Sequence, residues 1–284
     1  MQLKGVHTAL VTPFAEDGSV DIDCFARLCE RQIGAGIDGL VPCGTTGETP
    51  TLSHDEWQEV VSTAVRVSDG RVPVTAGCGT NATNTTVDNI ATAMELGADA
   101  ALVVLPYYNK PNPDGHRAHM KAAAALGLPV VAYHVPGRTG QRVSAKLLGE
   151  LSRLPGVVSV KEATGDVGYG SDVIRSTQAT IVSGDDFTFF PLMCVGGEGV
   201  ISVVSNVDPS RTVALARAAT SGDLARGRRL HDHLMPLVHY LFSDTNPAPC
   251  KAALSALGLC ENRVRLPLAA VAPPPPELLE GVTQ

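Results

Sequence analysis

A lysine lies inside a stretch of chain whose composition otherwise predicts a β-strand. Residues 157–162 are rich in β-branched side chains and stand between Pro155-Gly156 and Gly165, which is the usual setting of a short strand. Lysine is depleted in strands and is seldom buried without a partner. A buried ammonium group tends to lose its proton, and a neutral Lys161 amine could form a Schiff base with a carbonyl carbon. A lysine that reaches solvent or pairs with a carboxylate explains this stretch equally well.

Other polar groups follow strand-like runs elsewhere in the chain. The turn 44–47, Gly-Thr-Thr-Gly, offers two hydroxyls and a run of backbone N–H groups, and such concavities bind anions. The turn lacks the Gly-Lys-Ser/Thr of a phosphate loop, so a carboxylate suits it better; a plain glycine turn is an equally common reading. Tyr108 and Tyr133 could relay protons, although a single tyrosine more often packs with its hydroxyl bonded. Arg138 could bind a carboxylate through two hydrogen bonds, while a solvated loop arginine is the plainer alternative.

Eight short apolar runs, separated by segments with helical periodicity, recur at intervals typical of repeated βα units. The runs are Val6–Thr12, Gly39–Cys43, Val72–Gly77, Ala100–Leu105, Pro129–Val135, Val157–Ala163, Thr180–Ser183 and Gly199–Ser205. Eight such units favour an α/β fold with a closed (β/α)8 TIM barrel over an open doubly wound sheet. We expect the barrel to span residues 1–222 and a small C-terminal helical domain to span residues 223–284. In a barrel the chemistry lies at the carboxyl ends of the strands, where the polar groups above fall.

Bulk properties narrow the class of protein further. The chain has 284 residues, 44% of them hydrophobic and 18% charged, with a net charge of −7, which argues against a nucleic-acid surface. Its seven cysteines include no CxxC pair, so we interpret them as small core residues in a reducing cytoplasm and predict no metal site. No signal peptide and no apolar run of transmembrane length is expected. The histidines without other potential metal ligands at a suitable spacing are interpreted as surface or packing residues: His54, His116, His134, His231, His233 and His239.

Several motifs together resemble a known enzyme family. They are Gly44-Thr-Thr-Gly-Glu48, Pro106-Tyr-Tyr-Asn-Lys-Pro111, Tyr133…Pro136-Gly-Arg-Thr-Gly140, Lys161-Glu-Ala-Thr-Gly-Asp166, Ser183-Gly-Asp-Asp186, Gly197-Glu-Gly-Val-Ile-Ser202 and Asn246-Pro…Lys251-Ala-Ala. The chain is similar to the dihydrodipicolinate synthase/N-acetylneuraminate lyase family from Gly5 to about Gly258. That resemblance implies a (β/α)8 barrel and a class I, Schiff-base, pyruvate-dependent aldolase or lyase that needs no cofactor.

The resemblance also implies a role for individual residues. Lys161 would form the imine with pyruvate, and Tyr133 would donate and accept protons beside it. Thr45 would link Tyr133 to Tyr108, which a neighbouring subunit of a homotetramer would supply. The substrate-binding residues implied in the same way are Thr46 for the pyruvate carboxylate, Arg138 for the carboxylate of the second substrate, and Gly184 and Val203 at the lysine pocket.

The Arg-Thr-Gly turn and the Asn246…Lys251 segment most resemble the branch of the family that condenses pyruvate with L-aspartate-4-semialdehyde. The product would be 4-hydroxy-tetrahydrodipicolinate, in lysine and diaminopimelate biosynthesis. Another pyruvate-dependent aldolase, acting on a sugar acid or a 4-hydroxy-2-oxo acid, is the first alternative. A non-catalytic barrel that senses a metabolite is the second.

Two features depart from the family pattern. His134 stands where many members carry asparagine. The family's lysine-feedback site corresponds to Thr49, Pro50, His54, Trp57, Asn81, Thr85 and Tyr107. Lysine-sensitive members usually have a carboxylate where Thr85 stands, and Trp57 is bulkier than the usual histidine. We therefore predict weak or absent inhibition by lysine.

Overall fold

A parallel barrel of eight strands forms the centre of the chain in the computed structural model, which describes residues 2–282. The strands are β1 (Gly5–Ala9), β2 (Gly39–Val41), β3 (Thr75–Gly77), β4 (Ala100–Val104), β5 (Val130–His134), β6 (Val157–Glu162), β7 (Thr180–Ser183) and β8 (Gly199–Ser202). Their order is β2-β1-β8-β7-β6-β5-β4-β3. A parallel bridge between Leu40 and Val74 joins the two ends and closes the barrel. All eight predicted strands are present, and the predicted TIM barrel is confirmed.

Helices follow the strands and cover the outside of the barrel. They are α1 (Ile22–Gly34), α2 (His54–Ser68), α3 (Thr83–Glu95), α4 (Pro113–Ala124), α5 (Pro136–Thr139), α6 (Ala145–Ser152), α7 (Val167–Ser176), α8 (Phe189–Cys194), α9 (Pro209–Thr220), α10 (Leu224–Leu241) and α11 (Ala248–Ala256). A capping box begins α2, in which the side chains of Ser53 and Glu56 each accept a hydrogen bond from the other residue's backbone N–H.

The strands divide the apolar side chains between two layers, because successive side chains on a strand point to opposite faces. One layer lies between barrel and helices and includes Ala132 and Val160. The other fills the barrel interior and includes Tyr133 and Val182. Lys161 is paired with Tyr133 on one side and with Val182 on the other. The lysine side chain therefore points into the barrel interior, at the carboxyl end of β6.

The neighbouring residue, Glu162, is paired with His134 and Ser183 on the helix-facing side of the sheet. It is only 1% exposed, and its Oε1 accepts a hydrogen bond of 2.7 Å from the backbone N–H of Thr164. This position, on the side of the sheet away from the barrel interior, is that of a structural residue.

Three α-helices of the described residues, α9, α10 and α11, follow the last strand. α9 ends at Thr220 and α10 begins at Leu224, so the predicted boundary after residue 222 falls in the connection between two helices. The division into two domains stays a prediction. Across residues 2–282, none of the helices has the length and apolar character needed to cross a membrane.

The cysteines are free thiols, and five of the seven are buried: Cys24, Cys29, Cys43, Cys78 and Cys250. Cys194 is exposed, so the prediction that all seven are core residues is wrong for it, whereas Cys260 is partly buried and packs against the core. Cys194 is the last residue of the short helix α8 and the one residue of that helix that is exposed.

Candidate functional site

Lys161 and Tyr133 lie side by side near the carboxyl ends of β6 and β5. Parallel pairing puts the two residues at the same level of the barrel, and the lysine Nζ lies 4.2 Å from the centroid of the tyrosine ring. Both side chains are enclosed, with 6% of Lys161 and 5% of Tyr133 exposed. The structure thus brings together the predicted nucleophile and the predicted proton carrier.

Burial changes the protonation of the lysine. The pKa of Lys161 is lowered to about 7, chiefly by loss of hydration; the carboxylate of Asp186 opposes the change, and the positive charge of Arg138 adds a smaller lowering. Near neutral pH a large fraction of the amine is therefore unprotonated, which is the form that attacks a carbonyl carbon. The sequence-based expectation of a buried lysine with a lowered pKa is confirmed.

Burial acts on the tyrosine in the opposite direction. It raises the pKa of the Tyr133 hydroxyl, while Arg138 and a hydrogen bond with the side chain of Thr45 counteract the rise. The hydroxyl is thus protonated when the lysine is neutral. A protonated phenol bonded to a threonine can pass protons between that threonine and a group bound at Lys161.

A glycine leaves the space that the lysine side chain occupies. A Cβ added to Gly184, directly after β7, would lie 2.8 Å from Cε of Lys161 and 2.7 Å from Cβ of Ala163. Both distances are too short for carbon atoms. Gly184 therefore contacts the catalytic candidate itself, as predicted from the resemblance.

Val203 lies at the end of β8 and is held by a carboxylate that the sequence analysis did not single out. The Asp186 Oδ2 atom accepts hydrogen bonds from the backbone N–H groups of Val203, at 2.8 Å, and Val204, at 3.0 Å. Asp186 is 3% exposed, and it is also the negative charge that acts on Lys161. Its place in Ser183-Gly-Asp-Asp186, directly after a strand, was the only available signal.

The turn after β2 is tightly built. Cys43 and Glu48, on either side of it, both have a φ of 54°, a left-handed conformation that costs a non-glycine residue roughly 1–2 kcal/mol. Thr46, 2% exposed, accepts a hydrogen bond of 2.9 Å from Nδ2 of Asn246. Thr12 Oγ1 donates to the carbonyl of Gly47 at 2.8 Å. Strain of this kind persists where the surroundings fix it and is frequent at active sites.

Arg138 lies on the short helix α5, at the mouth of the site. One guanidinium nitrogen donates to the backbone carbonyl of Asn246 at 3.3 Å. Its charge acts on the pKa values of both Lys161 and Tyr133, so the guanidinium lies within electrostatic reach of both. Asn246 contacts Arg138 and Thr46 alike, although no pattern in the sequence indicated a role for it.

A cavity of about 440 Å³ opens beside these residues. Thr45, Tyr133 and Arg138 line it. So do five of the seven residues at the predicted effector positions: Thr49, Pro50, His54, Trp57 and Tyr107. Three of the predicted active-site residues and five of the predicted effector residues therefore line one cavity within a single chain, and Lys161 is not among its lining residues.

Tyr108 is the one predicted catalytic residue that the structure does not bring to this site. Its side chain is 88% exposed, and its φ is 68°, so a strained backbone directs it outward while Tyr107 lines the cavity. An exposed tyrosine is what the resemblance implies for a residue given to a neighbouring subunit.

His134 is a packing residue, as the sequence analysis expected. It is completely buried, and its ring centroid lies 5.8 Å from that of Tyr169. Burial lowers its pKa to about 4, so the ring is neutral near pH 7. The side chain faces the helices, away from Lys161.

A parallel (β/α)8 barrel that presents a buried, neutral lysine beside a tyrosine defines the class of Schiff-base aldolases and lyases. A sequence profile described as "Dihydrodipicolinate synthetase family" matches residues 2–275. The chain belongs to the dihydrodipicolinate synthetase family, and the resemblance seen in the sequence motifs is confirmed.

Individual relatives agree with this assignment. The chain is 48% identical to the 4-hydroxy-tetrahydrodipicolinate synthase of Nitratidesulfovibrio vulgaris, over 94% of this chain and 93% of the relative. The solved dihydrodipicolinate synthase of Thermotoga maritima is 41% identical, with a TM-score of 0.95 over 99% of this chain and 98% of that one. The chloride-inhibited dihydrodipicolinate synthase of Acinetobacter baumannii, solved with pyruvate, is 39% identical, with a TM-score of 0.93 over 95% and 94% of the two chains.

Proposed function

We propose that this chain condenses pyruvate with L-aspartate-4-semialdehyde to 4-hydroxy-tetrahydrodipicolinate through a Schiff base on Lys161. The observation that carries the proposal is the buried Lys161 amine, with a pKa of about 7, whose Nζ lies 4.2 Å from the centroid of the Tyr133 ring. The names of the relatives support the choice of substrates within the family.

The reaction begins when the neutral Lys161 amine attacks the keto carbon of pyruvate. Tyr133 returns a proton to the former keto oxygen, which leaves as water, and an iminium ion remains. The iminium draws electrons from the adjacent methyl group, which loses a proton and becomes an enamine. The enamine carbon attacks the aldehyde of the second substrate, whose own amine then attacks the imine carbon. That step closes the ring and returns Lys161 as a free amine.

Substrate binding uses the groups around the lysine. The backbone N–H groups and hydroxyls of Thr45 and Thr46 hold the carboxylate of pyruvate. Arg138 binds the carboxylate of the semialdehyde through two charge-assisted hydrogen bonds. Gly184 and Val203 bound the space in which the imine forms. These roles favour the semialdehyde over a sugar acid, which needs hydroxyl-binding groups where Arg138 stands.

The subunits are proposed to form a homotetramer that is a dimer of dimers, in which Tyr108 completes the proton relay of a neighbour through Thr45. The 88% exposure of Tyr108 in one chain supports this arrangement, because tyrosine is enriched at interfaces between subunits. A cytoplasmic location agrees with the seven free cysteines, since thiols stay reduced there.

Borohydride reduction followed by mass spectrometry tests the proposal. With pyruvate alone, we expect a pyruvate-sized adduct on Lys161, and this adduct should disappear when the semialdehyde is added. A Lys161→Ala variant is the control and should form no adduct. An adduct that the semialdehyde does not discharge would indicate another acceptor, such as a sugar-acid aldehyde. No adduct in the unmodified chain would refute the aldolase mechanism and favour a metabolite-sensing barrel.

A further inference from the structure

A second lysine is buried more completely than Lys161 and has no part in the proposed chemistry. Lys251, on α11, is 0% exposed, and its Nζ donates to Oε1 of Glu48 at 2.5 Å. The glutamate side chain is 1% exposed. The ammonium group also lies 3.9 Å from the centroid of the Phe14 ring. The fold thus contains a fully enclosed ion pair between the C-terminal helices and the turn after β2.

Glu48 is the last residue of that turn, and both oxygens of its carboxylate accept hydrogen bonds. Its Oε2 accepts a hydrogen bond of 2.9 Å from the backbone N–H of Arg265, while Lys251 occupies Oε1. Its own backbone N–H donates to the carbonyl of Thr45 at 3.1 Å. With a φ of 54°, Glu48 adopts a conformation that its surroundings must maintain.

The same C-terminal segment reaches the turn at a second point, where Asn246 donates to Oγ1 of Thr46. Residues 246 to 265 therefore contact Thr46 directly and Glu48 through an ion pair. Both contacts lie on the four-residue segment 45–48, which the proposed function assigns to the carboxylate of pyruvate.

Stability alone gives no reason for such a pair. Removing two charges from water has a large desolvation penalty, and apolar residues of similar volume often stabilise a core as well or better. Burial lowers the pKa of Lys251, and the carboxylate of Glu48 counteracts part of that lowering. What the pair does supply is a fixed position and direction for the Glu48 side chain, and hence for the strained turn.

We propose that Lys251 is a positioning residue: through Glu48 it fixes the turn 45–48 in the conformation that binds the carboxylate of pyruvate. The C-terminal helices thereby determine affinity for the first substrate from outside the barrel. This inference rests on the proposed function, because it assumes that pyruvate binds at this turn. An interaction made equally in the ground state and the transition state affects KM rather than kcat.

Three variants separate positioning from stability: Lys251→Met, Glu48→Gln, and the double variant that combines them. Lys251→Met leaves the Glu48 carboxylate buried without its lysine partner. We therefore expect a loss of stability and a rise of roughly tenfold or more in the pyruvate concentration needed for half-saturation. In the double variant no unpaired charge remains. We expect its stability to recover while its half-saturating pyruvate stays raised by a similar factor. The kcat at saturating pyruvate should change less than about threefold in each.

The measurements are half-saturating pyruvate from borohydride-trapped adduct on Lys161, steady-state kcat, and urea unfolding at one protein concentration. Arg71→Met is the matched control, because it breaks an ion pair with Glu30 in which both side chains are about half exposed. We expect that control to leave affinity, kcat and stability nearly unchanged.

Recovery of stability and pyruvate affinity together in the double variant would overturn the proposal and assign Lys251 a structural role only. Unchanged pyruvate affinity in folded Lys251→Met would do the same. If Lys251→Met does not fold, Glu48→Gln and the double variant decide by the same comparison. A failure of the proposed function is recognised separately, since the unmodified chain would then form no pyruvate adduct on Lys161 at all.

Discussion

The buried amine of Lys161 should make the folded chain less stable at low pH than at high pH. The perturbation is Lys161→Met, which keeps the volume of the side chain and removes its titration. In the folded chain the pKa of Lys161 is about 7, against an ordinary value of 10.5. Below pH 7 both the folded and the unfolded chain carry the ammonium ion, and the folded chain bears the full cost of burying it.

The magnitude follows from that difference in pKa. Since one pKa unit corresponds to about 1.4 kcal/mol, the lowered pKa disfavours the buried ammonium by about 5 kcal/mol. Between pH 7 and 10.5 the unfolded chain holds a proton that the folded chain lacks, so stability rises with pH in this window and the penalty vanishes above it. From pH 6 to pH 9, the wild-type chain should gain roughly 2–3 kcal/mol relative to Lys161→Met.

The assay is urea unfolding of both proteins at pH 6 and pH 9 and at one protein concentration. Because the two chains share every other titrating group, the difference between their unfolding free energies isolates Lys161. Lys121→Met, at an exposed lysine of α4, is the matched control. Its difference from wild type should stay constant over the same pH range.

A constant difference between wild type and Lys161→Met at the two pH values would refute the reasoning. It would mean that the amine titrates alike in the folded and the unfolded chain, and that burial does not produce the neutral nucleophile. An independent check is the rate of pyruvate adduct formation, which should rise with pH and reach half its maximum near pH 7.

Three further predictions test other parts of the site. Gly184→Ala places a Cβ 2.8 Å from Cε of Lys161 and should slow adduct formation roughly 100-fold; Gly34→Ala, whose Cβ meets nothing within 4 Å, should not. Arg138→Ala should raise the semialdehyde concentration needed for half-saturation roughly 10- to 100-fold. It should also move the pH midpoint of adduct formation upward, because Arg138 lowers the pKa of Lys161. An unchanged affinity for the semialdehyde would contradict the proposed role of Arg138. Lysine should not inhibit at sub-millimolar concentration, and Thr85→Glu should introduce inhibition; half-inhibition of the wild type in that range would disprove the prediction.

Most of the barrel could be predicted because its strands are buried on both faces. Such strands are near-continuous runs of apolar residues, and all eight runs became strands. Some helices gave no comparable signal and were not predicted. α4 begins with Pro113-Asp-Gly and carries two buried histidines, and α7 contains two glycines. In both, packing against the barrel overrides a weak local propensity.

The proposed catalytic pair could be predicted from local sequence and from the family resemblance. One odd residue in an apolar strand indicated Lys161, the place of Tyr133 at a strand end and the resemblance indicated the tyrosine, and parallel pairing in the structure puts the two side by side. The partners that fix the site come from distant parts of the chain. Glu48 and Lys251 are separated by 203 positions, and no single-sequence pattern connects them. Asp186 was visible in the sequence only as part of a motif. Its partners are the backbone N–H groups of Val203 and Val204 at the end of β8, which only the fold brings close to it.

Burial is the main reason why Lys161 and Tyr133 suit the proposed roles of nucleophile and proton donor in the same space. In water the lysine would be charged and unreactive near neutral pH. In the barrel interior, desolvation lowers the pKa of Lys161 and raises that of Tyr133, because it disfavours the charged form of each. Between these two pKa values the amine is free to attack and the phenol still has a proton to give. Activity should therefore rise through about pH 7 and remain high until the tyrosine ionises, above its ordinary pKa of 10.0.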